Sequence, residues 1–302
     1  MNHKIKTVLV TGANGFLGHY LVKKLLNRNF NVVATGKGEC RLDFPEEKQF
    51  LYLSMDFTDP FAVYDVFRKI KPGIVIHAGA MSKPDECELN QWQAFITNTE
   101  GTVTLLNNAD DYKSFFIFIS TDFVFSGSNG PYKEDDLPAP VNYYGQTKLQ
   151  AEEAVMEYAH EWAIVRTVLV YGKPLAGKQN ILTLVQSKLL KGESVNIVDD
   201  QWRTPTFVED LAEAIVNIAI KKATGTWHIS GNETLTPYAM ACMTAKYLHL
   251  DEKLILRTSA ADFPETAKRP PRTGFIITKA MGKLNFSPTP FREGLQKTFA
   301  DD

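Results

Sequence analysis

The segment Thr11-Gly-Ala-Asn-Gly-Phe-Leu-Gly18 constrains the fold of this chain more than any other feature. It follows a short apolar run, Thr7 to Val10, and precedes a stretch with leucines at every fourth position from Leu17. Glycines between a strand and a helix permit a tight turn whose backbone N–H groups approach a pyrophosphate at the positive end of the helix. The segment therefore predicts a dinucleotide-binding turn, formed by Gly12, Asn14, Gly15, Phe16, Leu17 and Gly18.

The rest of the first half alternates apolar, β-branched runs with helical patterns. This alternation is typical of βαβ units that build a parallel sheet. We therefore predict an α/β fold with a Rossmann-type doubly wound parallel sheet. The strand candidates are Thr7 to Val10, Val32 to Thr35, Phe50 to Leu53, Ile74 to His77, Phe115 to Ser120 and Ala163 to Val168.

Beyond Tyr171-Gly172 the elements become shorter, which indicates a second unit. We expect an NAD(P)-binding Rossmann domain over residues 1–171 and a smaller C-terminal α/β substrate-binding lobe over residues 172–302. Part of the segment from about 195 to 225 is expected to return to the first domain. The helix candidates in this half are Ile181 to Leu190, Val208 to Lys221, Pro237 to Leu248 and a last helix from Phe291.

Composition excludes several classes of function. Lys and Arg together number 33 against 35 for Asp and Glu, and no basic tract indicates nucleic-acid binding. The N-terminus lacks a signal-peptide pattern, no apolar stretch is long enough to cross a membrane, and the three cysteines are scattered. We therefore expect a cytoplasmic protein with reduced thiols. The six histidines show no metal-ligand spacing, so no metal site is predicted.

The end of the second strand bears on the choice of cofactor. NAD-preferring dinucleotide folds place a carboxylate here, but the sequence reads Ala34-Thr-Gly-Lys37. Lys37, helped by Arg41, is a candidate partner for a 2′-phosphate, with a merely solvated lysine as the alternative. We predict that NADP(H) is preferred and that NAD(H) is possible. The fourth strand ends in the small residues Ala78, Gly79 and Ala80, which allow a ribose and a nicotinamide close to the backbone.

A tyrosine and a lysine four residues apart, Tyr144 and Lys148, form the candidate catalytic pair. On a helix they share a face, so the ammonium is expected to stabilise a tyrosinate and lower the pKa of the phenol. Tyr143 rivals Tyr144 in identity but not in spacing. Upstream, Thr121 and Asp122 end a buried strand, at the sheet edge where open α/β folds bind ligands.

At this point the sequence resembles the extended short-chain dehydrogenases/reductases that act on nucleotide sugars, and most of all the dTDP-4-dehydrorhamnose reductases. The matching segments read STDFVFSG and GPYKEDDLPAPVNYYGQTKLQAEE, and the likeness covers nearly the whole chain. It implies that Thr121 hydrogen-bonds the substrate oxygen and that Tyr144 supplies the proton. It also implies that Lys148 binds the cofactor ribose and lowers the pKa of Tyr144.

The resemblance also assigns residues around this triad. It implies that Asp56 meets the adenine amino group, with Phe57 beside it; the alternative for Asp56 is a helix cap, which Asp59 could supply. Asn98 is expected to orient Lys148 through a water, with a helix-interior polar residue as the alternative. The candidate substrate-binding residues are Ser82, Asp122, Trp202, Arg203, Arg269 and Arg272.

The chain departs from the reductase pattern at three positions. Leu169 replaces a tryptophan, Arg203 replaces a glycine, and Arg272 replaces an asparagine. Arg203, Arg269 and Arg272 are candidates to bind a diphosphate, with surface salt bridges as the alternative.

The combined interpretation is an enzyme that reduces a 4-keto nucleotide sugar with NAD(P)H and binds this small molecule as its substrate. Two alternatives stay open. One is an epimerase or dehydratase that uses the same triad and retains its nicotinamide. The other is a non-catalytic regulatory subunit that resembles the one of methionine adenosyltransferase. A homodimer is also expected, because helix-paired dimers are common in the superfamily.

Overall fold

The computed structural model describes residues 7–44, 47–175, 179–262 and 266–300. Its strands coincide with the predicted runs, most of them extended by one or two residues, and five further strands follow. The strands are β1 (Thr7–Thr11), β2 (Asn31–Gly36), β3 (Phe50–Ser54), β4 (Ile74–His77), β5 (Phe115–Thr121), β6 (Trp162–Thr167), β7 (Val170–Tyr171), β8 (Val195–Val198), β9 (Thr206–Phe207), β10 (Gly225–Ile229) and β11 (Ile255–Thr258).

Eleven α-helices connect these strands in the part of the chain that the structure describes. The first six are α1 (Phe16–Asn27), α2 (Pro60–Ile70), α3 (Pro84–Leu89), α4 (Gln91–Phe95), α5 (Gly101–Asp110) and α6 (Tyr143–Met156). The other five are α7 (Ile181–Leu190), α8 (Val208–Lys221), α9 (Pro237–Tyr247), α10 (Thr278–Leu284) and α11 (Phe291–Phe299). Within the described ranges, no helix has the length and apolar character needed to span a membrane.

Seven strands form one parallel sheet in the order β10-β6-β5-β4-β1-β2-β3. One face packs against α1 and α8, and the other against α2, α5 and α6. The strand order reverses between β1 and β4, where open α/β sheets leave a crevice at the carboxyl edge. The structure thus confirms the predicted doubly wound Rossmann-type sheet.

The second half of the chain divides between the large sheet and a small lobe. Helix α8 and strand β10 join the large sheet, because their apolar faces pack against its core. Strands β8 and β11 pair with each other and are covered by α7 and α9, which form the small lobe. Helix α8, which lies in the 195–225 segment, thus packs on the large sheet. The division into two domains, with its boundary after residue 171 and the return of part of this segment, stays a prediction.

Two local features bring α6 close to the end of β5. The Asn142 side chain caps α6 by accepting a hydrogen bond from the Gly145 amide at 2.8 Å. Gly145 has no side chain, and a Cβ there would lie 2.2 Å from the Phe123 carbonyl oxygen. The helix therefore approaches the residues after β5 closely enough to set Tyr144 beside Thr121.

Candidate active site

A single cavity of about 1190 Å³ lies at the carboxyl edge of the sheet, between the large sheet and the small lobe. It brings together most of the residues predicted from sequence. Those lining it are Gly12, Asn14, Gly15, Phe16, Leu17, Gly18, Lys37, Phe57, Ala78, Gly79, Ala80, Ser82, Thr121, Asp122, Tyr144, Lys148, Arg203 and Arg269. Its volume exceeds the range of ordinary single-ligand pockets, so a dinucleotide and a second ligand have room in it.

Four predicted residues lie outside the cavity lining: Asp56, Asn98, Trp202 and Arg272. The Trp202 side chain is 44% exposed, and Trp202 and Arg272 pair through their backbones as neighbouring short strand segments. Arg272 is exposed as well. Their predicted contact with a substrate is therefore not provided by the cavity as it stands.

The glycine turn leaves room for a ligand at the helix N-terminus. Gly12 has φ +68°, and a Cβ there would lie 2.6 Å from the Gly79 backbone nitrogen. A Cβ on Gly18 would lie 2.3 Å from the Gly12 carbonyl oxygen. Gly15 is the N-cap residue of α1, and no described side chain caps this helix. The first N–H groups of α1 are therefore left for an anion. The turn therefore fits the pyrophosphate of a dinucleotide.

Lys37 and Asp56, both predicted to contact the cofactor, form an ion pair with 2.8 Å between Nζ and a carboxylate oxygen. Burial tends to raise the pKa of Asp56, but the hydrogen bonds from Lys37 and Thr58 outweigh it, so the pKa is lowered. Asp59, not Asp56, caps α2. The role of Asp56 in this structure is therefore its ion pair with Lys37, which lines the cavity.

The Thr121 hydroxyl connects Tyr144 to a buried carboxylate. It donates to Asp122 at 3.1 Å and also hydrogen-bonds with the Tyr144 side chain. Burial raises the pKa of Tyr144 above its ordinary value; the bond to Thr121 opposes this rise and the charge on Asp122 adds to it. The expected fall in the pKa of Tyr144 is therefore not what the structure shows: the phenol keeps its proton at neutral pH.

Lys148 shares the cavity with Tyr144, but its ammonium points elsewhere. Nζ donates to the Ile119 carbonyl oxygen at 2.8 Å and lies 3.8 Å from the centre of the Phe118 ring. Burial lowers the pKa of Lys148 to about 7, and the nearby Glu152 carboxylate only partly opposes this fall. The lysine is thus close to half-protonated near neutral pH.

Asn98 lies in a single π-helical turn, Ile96–Glu100, between α4 and α5. Its amide oxygen accepts from the Met81 N–H at 2.8 Å, and its nitrogen donates to the Met81 carbonyl and the Thr147 hydroxyl at 3.1 and 3.0 Å. These bonds tie the loop after β4 to α6 next to Lys148. The predicted water-mediated link from Asn98 to Lys148 stays a prediction.

Two of the three arginines predicted for a diphosphate contact carboxylates of the protein. The buried Arg203 lies 3.9 Å from Asp122, which also accepts hydrogen bonds from the Thr121 and Thr273 hydroxyls. Arg269 makes a two-pronged bond to Asp85 at 2.7 and 3.1 Å. Both pairs connect residues of the large sheet's loops to the second half of the chain, so the salt-bridge alternative describes them in this structure.

Several lining residues were missed by the sequence reasoning. Gln93 and Thr97 face the cavity from α4 and the π-helical turn and hydrogen-bond each other at 3.1 Å. Gln201 lies in the segment that carries Arg203. For Gln93 and Thr97, the only signal in the sequence was their i, i+4 spacing on a polar helix face, and this spacing is equally common on solvated helices. Among the described residues, no cluster of His, Cys, Asp and Glu could hold a metal ion.

The fold and the cavity define the class: this is an extended short-chain dehydrogenase/reductase, as the motifs predicted. The chain belongs to the family described as RmlD substrate binding domain, whose sequence profile matches residues 6–302. A structure of dTDP-4-dehydrorhamnose reductase from Bacillus anthracis in complex with NADP is 29% identical, with a TM-score of 0.83 and coverage of 97% of this chain and 98% of that one.

Relatives with two different functions are similar to this chain in sequence. The β subunit of methionine adenosyltransferase 2 from Pongo abelii is 32% identical over 300 residues, which span 97% of this chain and 87% of the relative. A dTDP-4-dehydrorhamnose reductase from Aggregatibacter actinomycetemcomitans is 28% identical over 303 residues, 96% of this chain and 97% of the relative. The chain is thus similar both to a reductase and to a subunit of another enzyme.

Proposed function

We propose that this protein reduces the 4-keto group of a nucleotide sugar with NADPH. The observation that carries the proposal is the continuity of the cavity, which holds the glycine turn at one end and the Thr121, Tyr144 and Lys148 side chains further along. The similar reductase structure with NADP supports the cofactor and the reaction class. The homodimer and the cytoplasmic location stay predictions.

The chemistry follows from the groups that face the cavity. When bound, the reduced nicotinamide supplies the hydride that adds to the carbonyl carbon. Tyr144 gives its proton to the carbonyl oxygen, and Thr121 orients both the phenol and the substrate oxygen. Lys148, once protonated, stabilises the tyrosinate that remains. The raised pKa of Tyr144 makes this charge support necessary, because the buried phenol does not ionise readily on its own.

The preference for NADPH over NADH rests on the rim of the cavity. Lys37 and Arg41 line it next to the end of β2, and β2 itself ends in Thr35 and Gly36 without the carboxylate that NAD-preferring folds place there. Lys37 pairs with Asp56, but its side chain is 60% exposed. Because exposed ion pairs contribute little to stability, Lys37 can turn from Asp56 toward a 2′-phosphate at little cost.

Replacement of Tyr144 by Phe tests the catalytic assignment. With NADPH and dTDP-4-dehydrorhamnose, we expect kcat to fall about 100-fold or more, because the proton donor is lost. The Kd for NADPH, measured by fluorescence titration, should stay within about twofold. The matched control is Tyr143→Phe, which removes the neighbouring hydroxyl and should keep kcat near the wild-type value. A wild-type kcat in Tyr144→Phe would refute the assignment.

Two other functions are distinguished by the same preparations. An epimerase or dehydratase retains its nicotinamide, so it would release no stoichiometric NADP⁺ during turnover. The 32% identity to a methionine adenosyltransferase subunit favours a second candidate, a regulatory subunit. Capture of a methionine adenosyltransferase catalytic subunit by the tagged protein, together with no turnover of NADPH, would establish that role. The presence of Thr121, Tyr144 and Lys148 in one cavity supports the reductase.

A further inference from the structure

A pair of polar side chains, Asn14 and Tyr52, links the glycine turn to the loop after β2. Asn14 is buried beneath this loop, and its Nδ2 donates to the Tyr52 hydroxyl at 2.8 Å and to the Glu39 carbonyl oxygen at 2.9 Å. Its Oδ1 accepts from the Arg41 N–H at 3.0 Å. The Asn14 amide therefore has a partner for both of its N–H groups and for its oxygen.

The Tyr52 hydroxyl adds two more points of attachment on the same loop. Its oxygen lies 3.1 Å from the Gly36 carbonyl oxygen and 3.0 Å from the Gly38 carbonyl oxygen. Since a phenol has one proton, it donates to one of these carbonyls at a time and accepts from Asn14. Together, Asn14 and Tyr52 hold the backbone of residues 36–41 at Glu39, at Arg41 and at either Gly36 or Gly38.

This loop presents two cations to the cavity. Lys37 lies between the two carbonyls next to the Tyr52 hydroxyl, and Arg41 lies two residues after Glu39, with its own N–H bonded to Asn14. A flexible, glycine-containing loop would have to lose conformational entropy before its cations could converge on one phosphate. A loop already held by hydrogen bonds has lost that entropy on folding, so it binds the anion more tightly.

We propose that Tyr52 is a positioning residue for cofactor selectivity. It fixes the backbone around Lys37 so that Lys37 and Arg41 meet the 2′-phosphate that distinguishes NADP(H) from NAD(H). Tyr52 itself does not line the cavity and acts through the loop. The inference rests on the proposed use of NADPH and names the residue that sets the preference.

Replacement of Tyr52 by Phe tests this role, because it removes the hydroxyl and keeps the ring in β3. Calorimetric titration of the enzyme with NADPH and with NADH gives the two Kd values. We expect the Kd for NADPH to rise about fivefold, equivalent to the loss of one hydrogen bond, and that for NADH to change less than about twofold. Tyr64→Phe, at an exposed position on α2, is the matched control and should change neither Kd.

A double-mutant cycle with Lys37→Ala separates positioning from a general loss of structure. If Tyr52 acts through Lys37, the Tyr52→Phe effect on NADPH binding becomes smaller in the Lys37→Ala background. Equal weakening of NADPH and NADH, or an unchanged effect in that background, would overturn the role of Tyr52. A wild type that binds both cofactors equally well would instead overturn the proposed cofactor preference, and the role of Tyr52 with it.

Discussion

The two sides of the cavity treat buried positive charge differently. On the cofactor side, Lys148 is 2% exposed, donates to a carbonyl oxygen and lies over an aromatic ring. The Glu152 carboxylate acts on it only at longer range, since within the described residues no carboxylate oxygen lies within 4.0 Å of its Nζ. On the substrate side, Arg203 is 4% exposed and lies beside the equally buried Asp122. One cation is left for a ligand, and the other is paired by the protein.

This difference explains what each side contributes. An unpaired buried ammonium is costly to the apo protein, and a ligand with hydroxyl or phosphate oxygens relieves that cost when it binds. A paired buried arginine is costly only when its partner is removed. On the cofactor side, Lys148 thus favours the binding of a ligand. On the substrate side, Asp122 at the end of β5 contacts Arg203 and Thr273 and so connects β5 to the second half of the chain.

The largest effect is expected from breaking the pair on the substrate side. Arg203→Met leaves the Asp122 carboxylate buried without its cation, so the free energy of unfolding should fall by about 3 kcal/mol. Urea denaturation at pH 7 measures this change. Addition of Asp122→Asn removes the orphaned charge and should recover more than half of the loss. Arg272→Met, in the exposed neighbouring segment, is the matched control and should change stability by less than about 0.5 kcal/mol.

If the double variant were as unstable as Arg203→Met, the arginine would stabilise the protein through other contacts. Candidates include the carbonyl oxygens of Trp202 and Pro271 and the Gln201 side-chain oxygen, to which its guanidinium also donates. The comparison between the two sides would then rest on these hydrogen bonds and not on charge pairing.

How much of this could be predicted from the sequence depends on where the partners lie. The turn at Gly12 is local: its strand, glycines and helix are contiguous, so motif and geometry agree. The Arg269–Asp85 pair joins residues 184 positions apart, and no local pattern reveals it. The pKa of Tyr144 was misjudged for the same reason, because the i+4 lysine is visible in the sequence and burial beside Phe123 is not.

The next effect concerns the unpaired lysine and depends on pH. The pKa of Lys148 is about 7 in the folded protein against an ordinary value of 10.5, so between these values the unfolded chain binds more protons. Stability of the wild type therefore rises with pH across this window, and below pH 7 the full cost of the buried charge is present. Lys148→Met lacks this titration and should be the more stable protein at pH 7.

The measurement is the free energy of unfolding of both proteins, without cofactor, at several pH values. From pH 7 to 8.5 the stability advantage of Lys148→Met should shrink by about 1.6 kcal/mol, because the slope rises from half of its limit at pH 7 toward about 1.4 kcal/mol per pH unit. Parallel curves for the two proteins would show that Lys148 does not change its charge in this range. Saturating NADPH should raise the free energy of unfolding of the wild type more than that of the variant, because only the wild type has a buried charge with which the ligand can interact.

The smallest effect is expected at Arg269, which is paired with a carboxylate that is itself 41% exposed. Because such pairs contribute little to stability, Asp85→Asn should lower the free energy of unfolding by less than about 1 kcal/mol. The same change removes the negative charge beside a cavity-lining guanidinium and so favours a diphosphate there, and the KM for the nucleotide sugar should fall about two- to threefold. Glu86→Gln, whose carboxylate pairs with the exposed Lys83, is the control and should leave KM unchanged. A KM that rises in Asp85→Asn would mean that the pair positions Arg269 for the substrate, and both sides of the cavity would then hold charge ready for a ligand.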